Sequence, residues 1–146
     1  MSHPEPPIPI NLQRLHHVGI VTGDLDQSIS NYTTMLGFTL LAAAVVDPIQ
    51  KVDIAFLTIG GGPLLELLHP FGEDSPLLKF ADSGRGLHHL CYEVDDIENA
   101  LEVSRGHGAI VVCSPVPAIA IDSRLVAFIY TRERQLIEFL QSDITN

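Results

Sequence analysis

The sequence predicts an α+β fold in which two tandem βαβββ modules pair their curved sheets around a cleft. Three observations carry that prediction. The chain repeats itself at a constant offset: His89 follows His17, and Glu138 follows Glu66, by the same interval (89 − 17 = 138 − 66 = 72). Short apolar runs recur at the two-residue period of strands. One capped segment of helical period follows the first strand of each copy.

The repeat shows in three separated places. LHHVGI (15–20) matches LHHLCY (87–92), DIAFL (53–57) matches LVAFI (125–129), and LLELL (64–68) matches LIEFL (136–140), with no gap between them. In the first copy a strand begins at LHHVGIV. Asp24 is the expected N-cap with Gln27 three residues on, and Leu25, Ile29, Tyr32 and Leu36 keep helical spacing until Gly37. Strands follow near 39–46, 52–59 and 64–69, with the turn Gly60-Gly61-Gly62-Pro63 before the last. Between the copies Ser75-Pro76 has the chemistry of a helix start, for a short helix to about Asp82. The second copy repeats the order: strand 87–94, helix from about Asp96 to Arg105, a turn at 106–108, then three strands. Pro115 and Pro117 weaken the first of those three, because proline cannot donate to a ladder. The organisation expected is a Pro-rich arm (1–13) and a single domain (14–146), with module one at about 14–70, a linker helix at about 71–86 and module two at about 87–141.

Composition narrows the partners. Eight basic and eighteen acidic residues give a net charge of −10 with no basic run, which disfavours nucleic acid. No apolar stretch reaches the roughly 18 residues a bilayer span needs, and MSHPEPPIPI lacks the basic and apolar regions of a signal peptide. Cys91 and Cys113 form neither a CxxC nor a disulfide framework, so a cytoplasmic location is the expectation.

The candidate site follows from strand alternation. His17 shares a face with Leu15, Gly19 and Val21, while His16 is expected to point the other way. Glu66 and Glu138 stand inside strands that are otherwise almost wholly apolar. A buried carboxylate costs several kcal/mol unless it is paired or binds a metal. Two imidazoles and two carboxylates at equivalent places in two modules make a ligand set for one divalent ion: zinc, iron, cobalt, nickel or manganese. Cys91 is read as a small wall residue, and His16 and His88 as supports of the ligating histidines.

These residues resemble the vicinal oxygen chelate superfamily, and within it the methylmalonyl-CoA epimerases. The likeness lies in LHHVGIVTGDLDQSI, VDIAFLTIGGGPLLELLHPFGEDSPLLKF and GRGLHHLCYEVDDIENAL, most of residues 15–101. It implies the same four metal ligands, His17, Glu66, His89 and Glu138. It implies an isomerase, an epimerase or racemase that moves an α-proton through a metal-chelated enolate of an acyl thioester carried on CoA or a carrier. It also implies a homodimer. Glu138 would be one catalytic base. Asp53 would be the other, at a position matched to a catalytic glutamate of some epimerases, unless it is only a strand-end charge. Arg124, Lys79 and Arg85 would meet anionic parts of the substrate. The chain departs from the family at SPVPAIAID and at VAFIYTRERQLIEF, which implies altered substrate specificity. A glyoxalase-type lyase, an extradiol-type dioxygenase and a metal-free binding protein share the fold.

Overall fold

The computed structural model describes residues 8–143. His3 and residues 1–7 of the expected arm lie outside that range. Strand β1 (Leu12–Val21) begins two residues inside the expected arm. It is followed by α1 (Leu25–Ser30), β2 (Thr39–Leu40), β3 (Val45–Asp47), β4 (Val52–Thr58) and β5 (Leu64–Pro70). The short helix α2 (Leu78–Asp82) leads to β6 (Leu87–Val94), α3 (Ile97–Gly106), β7 (Ile110–Ala118), β8 (Arg124–Tyr130) and β9 (Leu136–Gln141). All nine strands form one mixed sheet in the order β2-β4-β5-β1-β6-β9-β8-β7, with β3 also on β4. The two halves meet through the antiparallel pair β1 and β6.

The internal repeat extends to the register. Gly19 pairs with Glu66 in the parallel ladder of β1 and β5, and Cys91 pairs with Glu138 in that of β6 and β9. Phe56 opposes Glu66, and Phe128 opposes Glu138. The same alternation therefore turns both glutamates to one face of the sheet. The helices cover the other face. Ala55, Leu57, Leu65 and Leu67 pack under Leu25, Ile29 and Tyr32 of the first module. In the second, Val94, Ala127 and Phe139 meet Ile97, Ala100 and Leu101 of α3. Leu57 and Leu67 are fully buried, which stabilises the fold by about 2 kcal/mol each.

Several elements differ from the sequence expectation. The strand expected at 39–46 is two short strands, broken where the exposed stretch 41–44, rich in alanine, has little reason to extend. Asp24 caps α1 by accepting the Gln27 N–H (3.0 Å), but the Gln27 side chain donates to Asn31 (3.0 Å) and does not close the capping box. The helix then widens into a π turn (Asn31–Met35), where Thr33 and Thr34 donate back to Ile29 and Ser30 carbonyls. The linker helix starts later than expected: the Ser75 hydroxyl donates to the Lys51 carbonyl (2.8 Å) and organises a turn before Leu78. The doubtful strand β7 is nine residues long despite its prolines. It is an edge strand with β8 as its one neighbour, and its register slips around Cys113, so missing N–H donors face no second strand.

Candidate metal centre

The centre is built on β1 and β6. His17 pairs with Cys91, and Gly19 with His89, so each histidine stands opposite a small residue. The space is needed: a Cβ added to Gly19 would lie 2.3 Å from His89 Cε1. Glu66 and Glu138 enter from the flanking parallel strands, β5 and β9. All four side chains are buried, and their ligand atoms lie within 4.8 Å of one another. Glu66 Oε1 is 3.3 Å from His17 Nε2 and 3.2 Å from His89 Nε2. Glu138 Oε1 is 2.9 Å and 3.0 Å from the same atoms, and the two Nε2 atoms are 3.2 Å apart.

Those spacings test whether an ion fits. Two donors about 2.1 Å from a common ion at right angles lie about 3.0 Å apart, the separation these five contacts show. Glu138 Oε1, although close to both histidines, is buried and has no hydrogen-bond partner among the described residues. A buried acceptor of that kind is what an ion would satisfy. The donor set, two imidazole nitrogens and two carboxylates, also balances a divalent charge.

The neighbouring histidines correct one expectation. His16 does not point away from His17. The register of β1 against β6 slips between Leu15 and His17, making His16 the extra residue of a bulge. The slip between Gly19 and Ile20 does the same for His88 on β6. A bulge re-aims side chains. His16 Nδ1 comes to 2.7 Å from His17 Nδ1, and His88 Nδ1 to 2.8 Å from His89 Nδ1. Burial, together with the adjacent His17 or His89, lowers His16 and His88 to about 4, so both are neutral at pH 7. Each can then accept Nδ1–H from its neighbour, which leaves Nε2 of that neighbour for the cluster.

Charge within the cluster is mutually sustained. Burial opposes a charge on His17, yet the Glu66 charge and the adjacent Cys91 and Glu138 hold it well above its usual range. Burial likewise opposes His89, and the adjacent Glu138 and Glu66 carboxylates raise it to about 9. Burial would raise both carboxylates. The histidines instead hold Glu66 below the ordinary range and Glu138 at about 2. Cys91 is fully buried, and burial beside Glu138 keeps its thiol protonated.

The cluster lies in a cleft of about 580 Å³. Val52, Leu68 and Leu77 form one wall, and Val112, Val116 and Phe128 the other; the bonded pair Lys51 and Asp74 stands among the lining residues. Of the two expected bases, Glu138 lines this cleft and Asp53 does not. Asp53 pairs across the ladder with His69, on the helix-facing side shared by Ala55 and Leu57, and its carboxylate lies 3.5 Å from His69 Nδ1. The cleft-facing positions of β4 are Val52, Ile54 and Phe56. Arg124 is also committed elsewhere: it donates to the Gln141 carbonyl (2.9 Å) and to Glu93 (3.1 Å). Glu93 takes two further bonds from the exposed Arg14 (2.9 and 3.0 Å), a junction on a buried carboxylate that the sequence reading did not anticipate. Lys79 is exposed on α2 away from the cleft lining. Arg85 lies over the Phe80 ring, in a groove beside the cleft.

A sequence profile of the glyoxalase/bleomycin resistance protein/dioxygenase superfamily matches residues 16–128, which include His17, Glu66 and His89. The chain belongs to that superfamily. Among its relatives in the glyoxalase superfamily, the ethylmalonyl-CoA/methylmalonyl-CoA epimerase of Cereibacter sphaeroides is 35% identical over 122 residues, covering 82% of this chain and 90% of that one. The mitochondrial methylmalonyl-CoA epimerase of Dictyostelium discoideum is 34% identical over 129 residues, 84% of this chain and 74% of that one. A variant of Streptomyces coelicolor methylmalonyl-CoA epimerase, solved with 2-nitronate-propionyl-CoA, superposes with a TM-score of 0.79 at 29% identity, covering 92% of this chain and all of that one. No helix among the described residues is long and apolar enough to cross a membrane.

Proposed function

We propose that this protein is a metal-dependent epimerase that inverts the α-carbon of a 2-substituted malonyl-type acyl-CoA thioester. The observation that carries this reading is the cluster itself, four buried ligands at 2.9–3.3 Å spacing in an open cleft of a glyoxalase-superfamily fold. His17, Glu66, His89 and Glu138 would hold one ion of cobalt, zinc, nickel, manganese or iron. When bound, it supplies a Lewis acid for the charge that develops on the substrate oxygens as the α-proton leaves.

The chain's own groups do the rest. The neutral His16 and His88 hold the two ligating rings in orientation. The apolar walls exclude water and accommodate an alkyl branch. Glu138 accepts the α-proton at its carboxylate, for which its bond to the ion would have to loosen. With Asp53 behind the sheet, β4 brings no acid to this chemistry.

The test is metal analysis followed by solvent deuterium exchange. Deuterium is expected at the α-carbon of methylmalonyl-CoA or a longer-branched analogue, and only in metal-loaded protein. Bound metal without exchange in any malonyl-type thioester would rule the epimerase out.

A further inference from the structure

A second groove of about 370 Å³ adjoins the cleft, and the two share His88, His89, Tyr130 and Leu136. It lies where β6 and β9 begin and β8 ends. Its lining includes Arg85 and Arg134 and no aspartate or glutamate. That is unusual in a chain with eighteen acidic and eight basic residues. Arg14 and Arg124 are neutralised by Glu93, and Arg105 lies near Glu102. Neither Arg85 nor Arg134 has a carboxylate partner among the described residues.

Local structure positions the Arg85 guanidinium and the backbone that carries Arg134. Arg85 stacks over Phe80 at 5.3 Å, and Phe80 stands edge-on to His88 at 4.9 Å, which ties the cation to the strand that carries His89. Arg134 sits at φ 65 in the tight turn between β8 and β9, closed by the Thr131 N–H on the Gln135 carbonyl and the Arg134 N–H on the Thr131 carbonyl. Two unpaired guanidinium forks beside one groove match phosphate oxygens in charge and geometry.

We propose that Arg85 and Arg134 form a phosphate-binding subsite, so that the carrier arm of a thioester runs from the metal cleft into this groove with its phosphate between the two arginines. This rests on the thioester reading above and adds to it the end of the substrate that does not react.

Equilibrium binding to the intact protein tests the subsite without turnover, using CoA, phosphopantetheine and pantetheine as probes. Arg134→Gln and Arg85→Gln should each weaken CoA or phosphopantetheine about tenfold, leave pantetheine unchanged, and flatten the salt dependence of binding. Lys79→Gln, outside the groove, should change none of these. Weakening of both phosphorylated probes assigns the subsite to the phosphate of the arm, and weakening of CoA alone assigns it to the nucleotide end; either supports the proposal. Equal affinities in variants and unmodified protein, or an equal loss with pantetheine, would overturn it. These results stand whether or not any thioester exchanges its proton, so failure of the subsite and failure of the epimerase reading are separable.

Discussion

Loading the cluster with metal should expel protons, and the affinity should climb steeply with pH. In the metal-free protein the carboxylates raise His89 to about 9, so its ring carries a second proton at pH 7, and they hold His17 well above its usual range. A nitrogen that ligates a metal must give that proton up. Displacing it from His89 two pH units below its titration point costs about 3 kcal/mol. From His89 alone the apparent affinity at pH 7 is therefore about fiftyfold below its value at pH 9, where the ring is half deprotonated, and His17 steepens the dependence. The sign of the stability effect follows. The raised histidines support the metal-free fold fully below their ordinary value of 6.5, and that support is lost as pH rises through about 9. The lowered carboxylates contribute above their ordinary value of 4.5 and lose that contribution as pH falls, through about 2 for Glu138. The metal-free protein should thus be most stable between those ordinary values. Titration calorimetry in two buffers of different ionisation enthalpy counts the protons released. At least one per metal at pH 7, falling towards none above pH 9, is the expected result. No release at pH 7, with affinity flat from pH 6 to 8, would refute the charge assignment.

Other expectations follow from the same geometry. Gly19→Ala should keep the fold but displace the His89 ring, cutting metal affinity at least about tenfold, since the new Cβ would lie 2.3 Å from that ring; elemental analysis and competition with a chelator measure it. His17→Ala or His89→Ala should abolish stoichiometric metal, and unchanged metal content would remove the residue from the site. Asp53→Asn should leave both metal content and deuterium exchange unaltered, because its side chain lies on the helix-facing side of the sheet; slowed exchange at full metal occupancy would restore it as a base. Glu93→Leu should destabilise by about 3 kcal/mol, read as a lowered denaturant midpoint, because it strands the largely buried Arg124 guanidinium.

The repeat, the order of strands and helices, and the four side chains that gather in the buried cluster could all be read from the chain. Those properties rest on period and chemistry: alternation along a strand, a capped helical stripe, and carboxylates in apolar runs that need a partner. What the sequence could not decide was register. Asp53 and Glu66 lie on neighbouring strands, and the pairing of Phe56, not an acid, with Glu66 sends Asp53 to the opposite face. The bulges that turn His16 and His88 towards the ligating rings are likewise slips between two strands, invisible to a rule that reads one strand at a time. Arg124 looked free in the sequence because Glu93 and Gln141 are distant along the chain, and only folding brings their oxygens to its guanidinium. Residue types and local periodicity determined which side chains were fit to hold a metal. The tertiary structure decided which other polar groups could reach it, because that depends on how strands from separate parts of the chain align.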